Sequence, residues 1–130
     1  MRLGRWLFYD RRLSADGTVA CATCHRPEHA FSEPQPVSVG IRGQKGVRKA
    51  PSFVNEWVTL FPHYFWDGRA ASLEEQAMGP IENPIEMGNT AEGMVEALRK
   101  IPGYAPYFTQ AFGSPGIDRD RVGKALAAYE

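Results

Sequence analysis

The sequence predicts a single all-α domain in which short helices are joined by long loops. The chain has 130 residues, of which 43% are hydrophobic, so it is about one domain long and has enough apolar material for a core. Apolar residues recur at helical spacings in several short segments, and no alternating run is long enough to make a sheet. The stretch from Pro34 to Pro51 is rich in proline and glycine, which suit tight turns rather than a helix interior.

The first helix is predicted at the start of the chain. Leu3, Leu7 and Phe8 share one face of a short helix that stops near Asp10. The cysteine segment VACATCHRPEHAF follows it, and the proline- and glycine-rich stretch comes next.

A second helix is predicted after residue 70. Ser72, with Glu75 three residues later, is a capping-box pattern, which marks the start of a helix. This short helix is expected to run through Leu73, Gln76 and Ala77. The segment PIENPIEMGN is then predicted as a loop.

Three more helices are predicted in the last third of the chain. Thr90 caps a helix that ends at the Pro102-Gly103 pair, a short aromatic helix follows, and Asp118 opens the last helix. The residues that define these helices are Met94, Val95 and Leu98, then Tyr107, Phe108 and Phe112, and finally Val122, Leu126 and Tyr129. The last helix reaches Glu130 without a stop signal, so the natural chain is predicted to continue.

Charge and hydropathy exclude two classes of partner. The 15 basic and 15 acidic residues give a formal net charge of zero and are spread along the chain, so nucleic acid finds no concentrated positive field. No apolar run approaches the length needed to cross a bilayer. Neither nucleic acid nor a membrane is predicted as a partner.

The segment Cys21-Ala22-Thr23-Cys24-His25 has the strongest chemical signal, and four interpretations compete for it. A disulfide between the two cysteines would close a tiny loop and stabilise the fold little. A zinc site needs four converging ligands, which the adjacent Cys24 and His25 cannot easily both supply. A thioredoxin-type redox pair belongs at the start of a helix after a strand, and this chain offers no such frame.

Covalent attachment of one haem c is the favoured interpretation. On a helical turn, positions three apart share a face, so Cys21 and Cys24 can bond to the same porphyrin. His25 then supplies an axial nitrogen and is the metal ligand. Because covalent haem is normally attached outside the cytoplasm, a periplasmic protein is expected, with its export signal absent from this chain.

Four consecutive segments extend this interpretation to nearly the whole chain: LGRWLFYDRRLSADGTVACATCH, PVSVGIRGQKGVRKAPSFVN, FWDGRAASLEEQAMGPIENPIEM and IPGYAPYFTQAF. Together they resemble the N-terminal haem domain of the bacterial di-haem cytochrome c peroxidases and the related MauG-type enzymes. The resemblance implies that residues 1–130 form a single cytochrome c-like domain around one haem, as the N-terminal half of a two-domain protein. The C-terminal haem domain would be absent from this chain.

The resemblance also implies a peroxide-reacting pocket. Glu86 is the implied acid-base catalyst, and Gln76 and Pro80 are the other implied residues of the distal pocket, within QAMGPIENPIEM. A solvated loop carboxylate would be the ordinary interpretation of a lone glutamate. The implied role of Glu86 is to move a proton from one oxygen of hydrogen peroxide to the other.

The segment FWDGRA is implied to lie between the two haems. Trp66 matches the tryptophan that mediates electron transfer there, whereas most tryptophans are core aromatics. Arg69 is expected to contact a haem propionate or to form an ion pair with Asp67. The C-terminal haem domain would supply electrons, received in turn from a small redox protein. A homodimer is the alternative occupant of the face that would meet that domain.

Two positions depart from the family pattern. Ile41 stands where typical peroxidases have a histidine that caps the resting iron, and since isoleucine cannot ligate iron, the sixth position is expected to be open. Lys49 stands where relatives usually have an asparagine that helps to bind calcium, and an ammonium group cannot coordinate a cation, which puts the calcium site in question. His29 and His63 are expected to be surface or loop histidines.

The implied function is reduction of hydrogen peroxide by a cytochrome c peroxidase-type or MauG-like oxidoreductase, of which this chain would be a part. The first alternative is a mono-haem electron-transfer cytochrome without its own substrate, which would need a sixth iron ligand such as Met78 or Met87. The second is a non-catalytic fragment without haem, in which the two cysteines would be free or joined in a disulfide.

Overall fold

The computed structural model describes residues 1–54 and 63–130, and within them the protein is helical. The six α-helices in these two ranges are α1 (Arg2–Phe8), α2 (Cys21–Cys24), α3 (Leu73–Glu82), α4 (Ala91–Arg99), α5 (Tyr104–Phe112) and α6 (Arg119–Ala127). Single 3-10 turns lie at Arg11–Leu13, Pro27–His29 and Ile41–Gly43. No strand occurs in the described ranges, where three isolated antiparallel bridges close loops between Arg26 and Ser32, Val39 and Lys45, and Tyr64 and Ala70. The all-α prediction is confirmed.

The predicted N-caps begin the helices that they were expected to begin. Ser72, Thr90 and Asp118 each accept a hydrogen bond from the backbone N–H three residues later, at 3.2, 3.0 and 2.9 Å. Such a side chain satisfies one of the backbone donors that a helix leaves unpaired in its first turn. These starts are therefore determined by local sequence.

Two helix ends differ from the predictions. Helix α3 continues through Pro80 to Glu82, where the sequence suggested a loop beginning at Pro80. A proline removes one backbone hydrogen bond, but Met78 and Ile81 on either side of it are completely buried, and this burial outweighs the loss. Tyr129 lies beyond the end of α6 rather than on it, and its ring packs against Phe8 at 5.1 Å between centroids.

Helix α6 packs closely against α1 and α3. Gly4 on α1 faces the Ala125 carbonyl so closely that an added Cβ would overlap it. Gly123 on α6 lies against the backbone of Glu74, where an added Cβ would be 3.1 Å from the carbonyl oxygen. Small residues at both crossings let the backbones approach, and the larger apolar side chains fill the space beside them. Among these fully buried side chains are Leu7, Phe8, Met78, Ile81, Val122 and Leu126.

A buried polar cluster ties the end of α1 to α5. Asp10 is 8% exposed and accepts hydrogen bonds from the Arg12 guanidinium at 2.8 Å and from the Tyr104 hydroxyl at 2.6 Å. Burial acts to raise the pKa of the Asp10 carboxyl, but these hydrogen bonds outweigh it, so that the pKa is lowered below 3.8. The ionised carboxylate is thus the form that the fold stabilises.

The Tyr104 hydroxyl is predicted to stabilise the fold in a pH-dependent manner. Tyr104→Phe should lower the free energy of unfolding at pH 7 by about 1–3 kcal/mol, because a buried carboxylate loses a donor. The pKa of the Asp10 carboxyl is lower in the folded state than in the unfolded state. Its ionisation therefore stabilises the fold at pH values above the unfolded-state pKa, and this stability is lost as the pH falls through the folded-state pKa. The loss of stability in Tyr104→Phe should therefore become smaller below pH 3.8, the ordinary pKa of an aspartate side chain.

Urea unfolding at pH 7 and pH 3 measures this deficit. Tyr107→Phe, on the same helix, is the matched control, because Tyr107 lies outside the Asp10 cluster. A deficit that is the same size at both pH values would contradict the role assigned to the ionised carboxylate.

Candidate functional site

The predicted site residues converge on one cavity of about 340 Å³. This volume lies within the range of small-molecule sites in proteins. Its walls come from α2, α3 and three loops, at residues 38–51, 65–69 and 83–87. All eight residues proposed from the sequence line it: Cys21, Cys24, His25, Trp66, Arg69, Gln76, Pro80 and Glu86.

The two cysteines lie on a single turn of helix. Cys21 and Cys24 are the first and last residues of α2, and the His25 N–H donates to the Cys21 carbonyl at 2.9 Å. Burial raises the pKa of both thiols, that of Cys24 to about 11. Reactive redox cysteines have lowered pKa values instead, so this pair lacks the thiolate character of a redox switch.

The His25 imidazole is fixed by its surroundings. Its Nδ1 lies 2.8 Å from the Phe31 carbonyl oxygen, and because a carbonyl can only accept, Nδ1 carries the proton and donates. The Phe53 ring lies 5.2 Å from the imidazole, centroid to centroid. Burial lowers the pKa of His25, which favours the neutral ring. Nε2 is then an unprotonated nitrogen, as in metal-binding histidines whose other ring nitrogen donates to a carbonyl or carboxylate oxygen.

These residues fit a covalently bound haem. Two thiols three positions apart, a neutral imidazole next to them and a mostly apolar cavity are the donor set and surroundings that haem c needs. Cys21 and Cys24 would hold the porphyrin and His25 the iron. Across the described ranges, no group of three or more histidine, cysteine, aspartate or glutamate side chains is arranged to hold a metal ion.

Glu86 lies on a different part of the cavity wall and is partly buried. Its carboxylate accepts from the Asn83 side-chain amide at 2.9 Å, and its carbonyl accepts from the Ile41 N–H at 2.9 Å. Burial raises the pKa of Glu86, although the positive charge of Arg69 acts in the opposite direction. The carboxylate is therefore neither freely solvated nor locked in an ion pair, and it has the environment of a group that can exchange a proton.

Gln76 and Pro80 lie one turn apart on α3 and contribute to the same cavity. The helix extension through Pro80 explains how both can line it, since positions four apart share a helix face. Gly40 completes this region, because an added Cβ would overlap the carbonyl oxygens of Ile85 and Glu86. The loop that contains Glu86 is thus held closely against the Gly40 backbone.

Trp66 is exposed at the edge of the cavity, with 62% of its surface accessible. The interpretation of Trp66 as a core aromatic is therefore wrong. Its indole N–H donates to the Lys49 carbonyl at 3.1 Å. The predicted ion pair is present, since the Arg69 guanidinium contacts both Asp67 carboxylate oxygens at 2.7 and 3.0 Å. Arg69 also stacks on the Phe65 ring, 3.6 Å from its centroid.

Ile41, the two methionines considered as iron ligands and the two histidines without an implied role lie in different surroundings. Ile41 and Met78 belong to the hydrophobic core, with 2% and 0% exposure. Met87 is 2% exposed and lines the cavity. His29 and His63 are exposed, as predicted. Met87 is thus the better placed of the two methionines that the electron-transfer alternative requires.

Sequence reasoning missed Asn83, which lines this cavity, and Glu33, which hydrogen-bonds to its wall. Glu33 is 5% exposed and accepts from the Ala50 N–H at 2.7 Å. Asn83 lines the cavity and holds the Glu86 carboxylate. A single acid or amide in a loop has no periodicity or spacing to mark it, so only the folded structure identifies them.

No helix in the described part of the chain is long and apolar enough to cross a membrane.

Comparison with known proteins places the chain in a family. The family model described as di-haem cytochrome c peroxidase matches residues 1–130. The MauG protein of Methylophilus methylotrophus is 40% identical over 129 residues, which cover 98% of this chain and 38% of that protein. The cytochrome c551 peroxidase of Nitrosomonas europaea is 39% identical over 128 residues, with coverage of 98% and 38%.

Solved structures that resemble this chain belong to the same two groups of proteins, MauG-like proteins and diheme peroxidases. A MauG-like protein associated with microbial copper homeostasis has a TM-score of 0.87 and 34% identity, covering 98% of this chain and 38% of its own. The diheme peroxidase BthA from Burkholderia thailandensis has a TM-score of 0.81 and 30% identity, with coverage of 98% and 37%. The chain spans a little over one third of the length of these relatives. It belongs to the di-haem cytochrome c peroxidase family.

Proposed function

We propose that this chain is the peroxidatic haem domain of a di-haem peroxidase or MauG-like oxidoreductase. The observation that carries the proposal is that Cys21, Cys24 and His25 share one cavity with the partly buried carboxylate of Glu86. The first three residues would hold one haem c, and Glu86 would act on hydrogen peroxide beside it. Because the chain spans little more than a third of its relatives, the remaining length of the whole protein would supply the second haem.

The proposal assigns a task to the haem and to each of three residues in the distal pocket. The haem, when bound, supplies the iron to which peroxide binds and the electrons that split the O–O bond. Glu86 accepts a proton from one peroxide oxygen and returns it to the other, so that the leaving oxygen departs as water. Gln76 hydrogen-bonds to peroxide but does not titrate, and Pro80 shapes the pocket.

Electrons would enter through the exposed edge of the cavity. Val47 and Trp66 are 92% and 62% exposed there, beside the ion pair of Asp67 and Arg69. Large apolar side chains that are exposed side by side favour a contact site. We assign it to the C-terminal haem domain, with a homodimer as the alternative, and propose that a small redox protein in the periplasm supplies the electrons.

The position of Met87 favours electron transfer without a substrate as the second candidate function. It lines the cavity, and a thioether can act as the sixth ligand of a c-type haem. Such a protein would have a low-spin iron and no room for peroxide at the metal. The peroxidase proposal requires an open position instead.

The spin state of the ferric protein decides between these functions. The unmodified protein is expected to be mainly high-spin and to change its absorption spectrum when hydrogen peroxide is added. Met87→Leu should leave the spin state unchanged, and Met78→Leu, a core substitution of similar volume, is the control. A low-spin spectrum that becomes high-spin only in Met87→Leu would establish the electron-transfer function instead.

A further inference from the structure

A short segment of backbone lies between the Trp66 indole and the His25 imidazole and contacts both of them. We call residues 49–53 the strap. At one end, the Lys49 carbonyl accepts from the Trp66 indole N–H at 3.1 Å. At the other, the Phe53 ring lies 5.2 Å from the His25 imidazole, centroid to centroid. The position of the strap therefore affects the surroundings of both the Trp66 indole and the His25 imidazole.

The strap is held at its centre by two side chains. Ala50 is 8% exposed, and both of its backbone polar groups have side-chain partners. The Glu33 carboxylate accepts from the Ala50 N–H at 2.7 Å, and the Ser32 hydroxyl donates to the Ala50 carbonyl at 2.7 Å. No helix or sheet ladder supplies these hydrogen bonds, so adjacent side chains of one loop hold the backbone of another.

Glu33 also holds a second part of the cavity wall. The same carboxylate oxygen accepts from the Ser38 hydroxyl, and Ser38 and Ala50 both line the cavity. A carboxylate that is 5% exposed is costly to bury unless its hydrogen bonds repay the desolvation. Its two partners are both cavity residues, which links its burial to the shape of the cavity rather than to the core.

We infer that Glu33 is a positioning residue, which fixes the strap and through it the surroundings of the His25 imidazole. In this role Glu33 acts through the backbone of the strap and is neither a haem ligand nor a group that reacts with peroxide. The fixing of the strap is independent of the proposed function, whereas its consequence for the iron rests on that function. Glutamine should replace Glu33 well, because its side-chain oxygen can accept the same two hydrogen bonds without a charge.

Amide hydrogen exchange of the isolated protein, followed by mass spectrometry, tests the inference directly. In Glu33→Ala, the buried Ala50 N–H loses its acceptor, so peptides that contain the strap should exchange faster by about tenfold or more. Peptides from α6 should exchange as before. Glu33→Gln should behave like the parent protein, and Glu28→Ala, which removes an exposed carboxylate from the same loop, is the matched control.

Electron paramagnetic resonance of the haem-loaded ferric protein gives a second readout. The signal should change in Glu33→Ala and be retained in Glu33→Gln, because the strap contacts the ring of the proposed ligand His25. If Glu33→Ala fails to fold, Glu33→Asp takes its place. Its carboxylate is one methylene shorter, and it should also speed exchange in the strap but not in α6.

Three results would overturn the inference. Faster amide exchange throughout α6 in Glu33→Ala would show that Glu33 contributes to the stability of the whole fold. Equally fast exchange of the strap in Glu33→Gln and Glu33→Ala would show that the charge of Glu33 matters, and not its hydrogen bonds. Unchanged exchange of the strap in Glu33→Ala would show that Glu33 does not hold the strap. None of these depends on turnover. Failure of haem attachment, or a Glu86 variant with full activity, would therefore overturn the proposed function and leave the result on the strap intact.

Discussion

Glu86→Gln is expected to slow the first reaction of the haem-loaded protein with hydrogen peroxide by roughly 100-fold or more. Glutamine keeps the size and polarity of the side chain, and its oxygen can still accept from the Asn83 amide, which donates to Glu86 at 2.9 Å. It cannot accept and return a proton. Gln76 and Pro80, which line the same cavity, cannot replace this function.

Single-turnover stopped-flow absorbance with excess peroxide measures this step without a second haem. The pKa of Glu86 is raised above 4.5 by burial, so the rate in the parent protein should fall as the pH falls through that raised value. The Glu86→Gln rate should lack this dependence. Covalent haem and the ferric spectrum should be the same in both proteins.

Glu82→Gln is the matched control for Glu86. Glu82 lies at the end of α3, where its carboxylate contacts the Arg119 guanidinium at 3.0 Å, and it is not among the cavity residues. The substitution should leave the reaction with peroxide almost unchanged. If Glu86→Gln reacts as fast as the parent protein, Glu86 is not the proton carrier, and the catalytic part of the proposal fails while haem binding survives.

Replacing Cys21 and Cys24 together by alanine is expected to abolish covalent haem completely. The two thiols are the groups that would bond to the porphyrin, and they lie one helical turn apart on α2. The protein should be produced in a host with cytochrome c maturation. Haem-dependent peroxidase stain on a denaturing gel should mark the parent band and be absent from the double variant.

Mass spectrometry of the intact chain provides the quantitative form of this experiment. The parent chain should be heavier than its sequence mass by one haem, and the double variant should have the sequence mass alone. Ala22→Ser, which changes a residue between the cysteines and leaves both thiols, should retain the haem. Loss of haem from the parent protein on denaturation would contradict the c-type assignment.

The sequence by itself determined the helix starts and the haem-binding motif. Ser72, Thr90 and Asp118 were recognisable as caps because the hydrogen bond that they accept comes from a backbone N–H only three residues away. The motif at Cys21 and Cys24 is equally local, since a single helical turn brings the thiols to one side. Interactions of this range depend little on the rest of the chain.

Resemblance to a family identified residues that local patterns could not. Glu86, Gln76 and Trp66 are far from His25 in sequence, and nothing in their spacing indicates that they line its cavity. The family frame named all three. It did not predict that Trp66 is 62% exposed or that Ile41 is buried in the core, because exposure depends on the packing of this particular chain.

Only the tertiary structure decided the extension of α3, the role of Glu33 and the environment of Glu86. Pro80 was expected to begin a loop, yet burial of Met78 and Ile81 carries the helix past it. Glu33 and Glu86 are each one carboxylate in a loop, and their chemistry comes from burial and from partners on other segments. Sequence patterns report contacts within about one helical turn, whereas burial is a sum over contacts between distant residues, which exist only once the whole chain has folded.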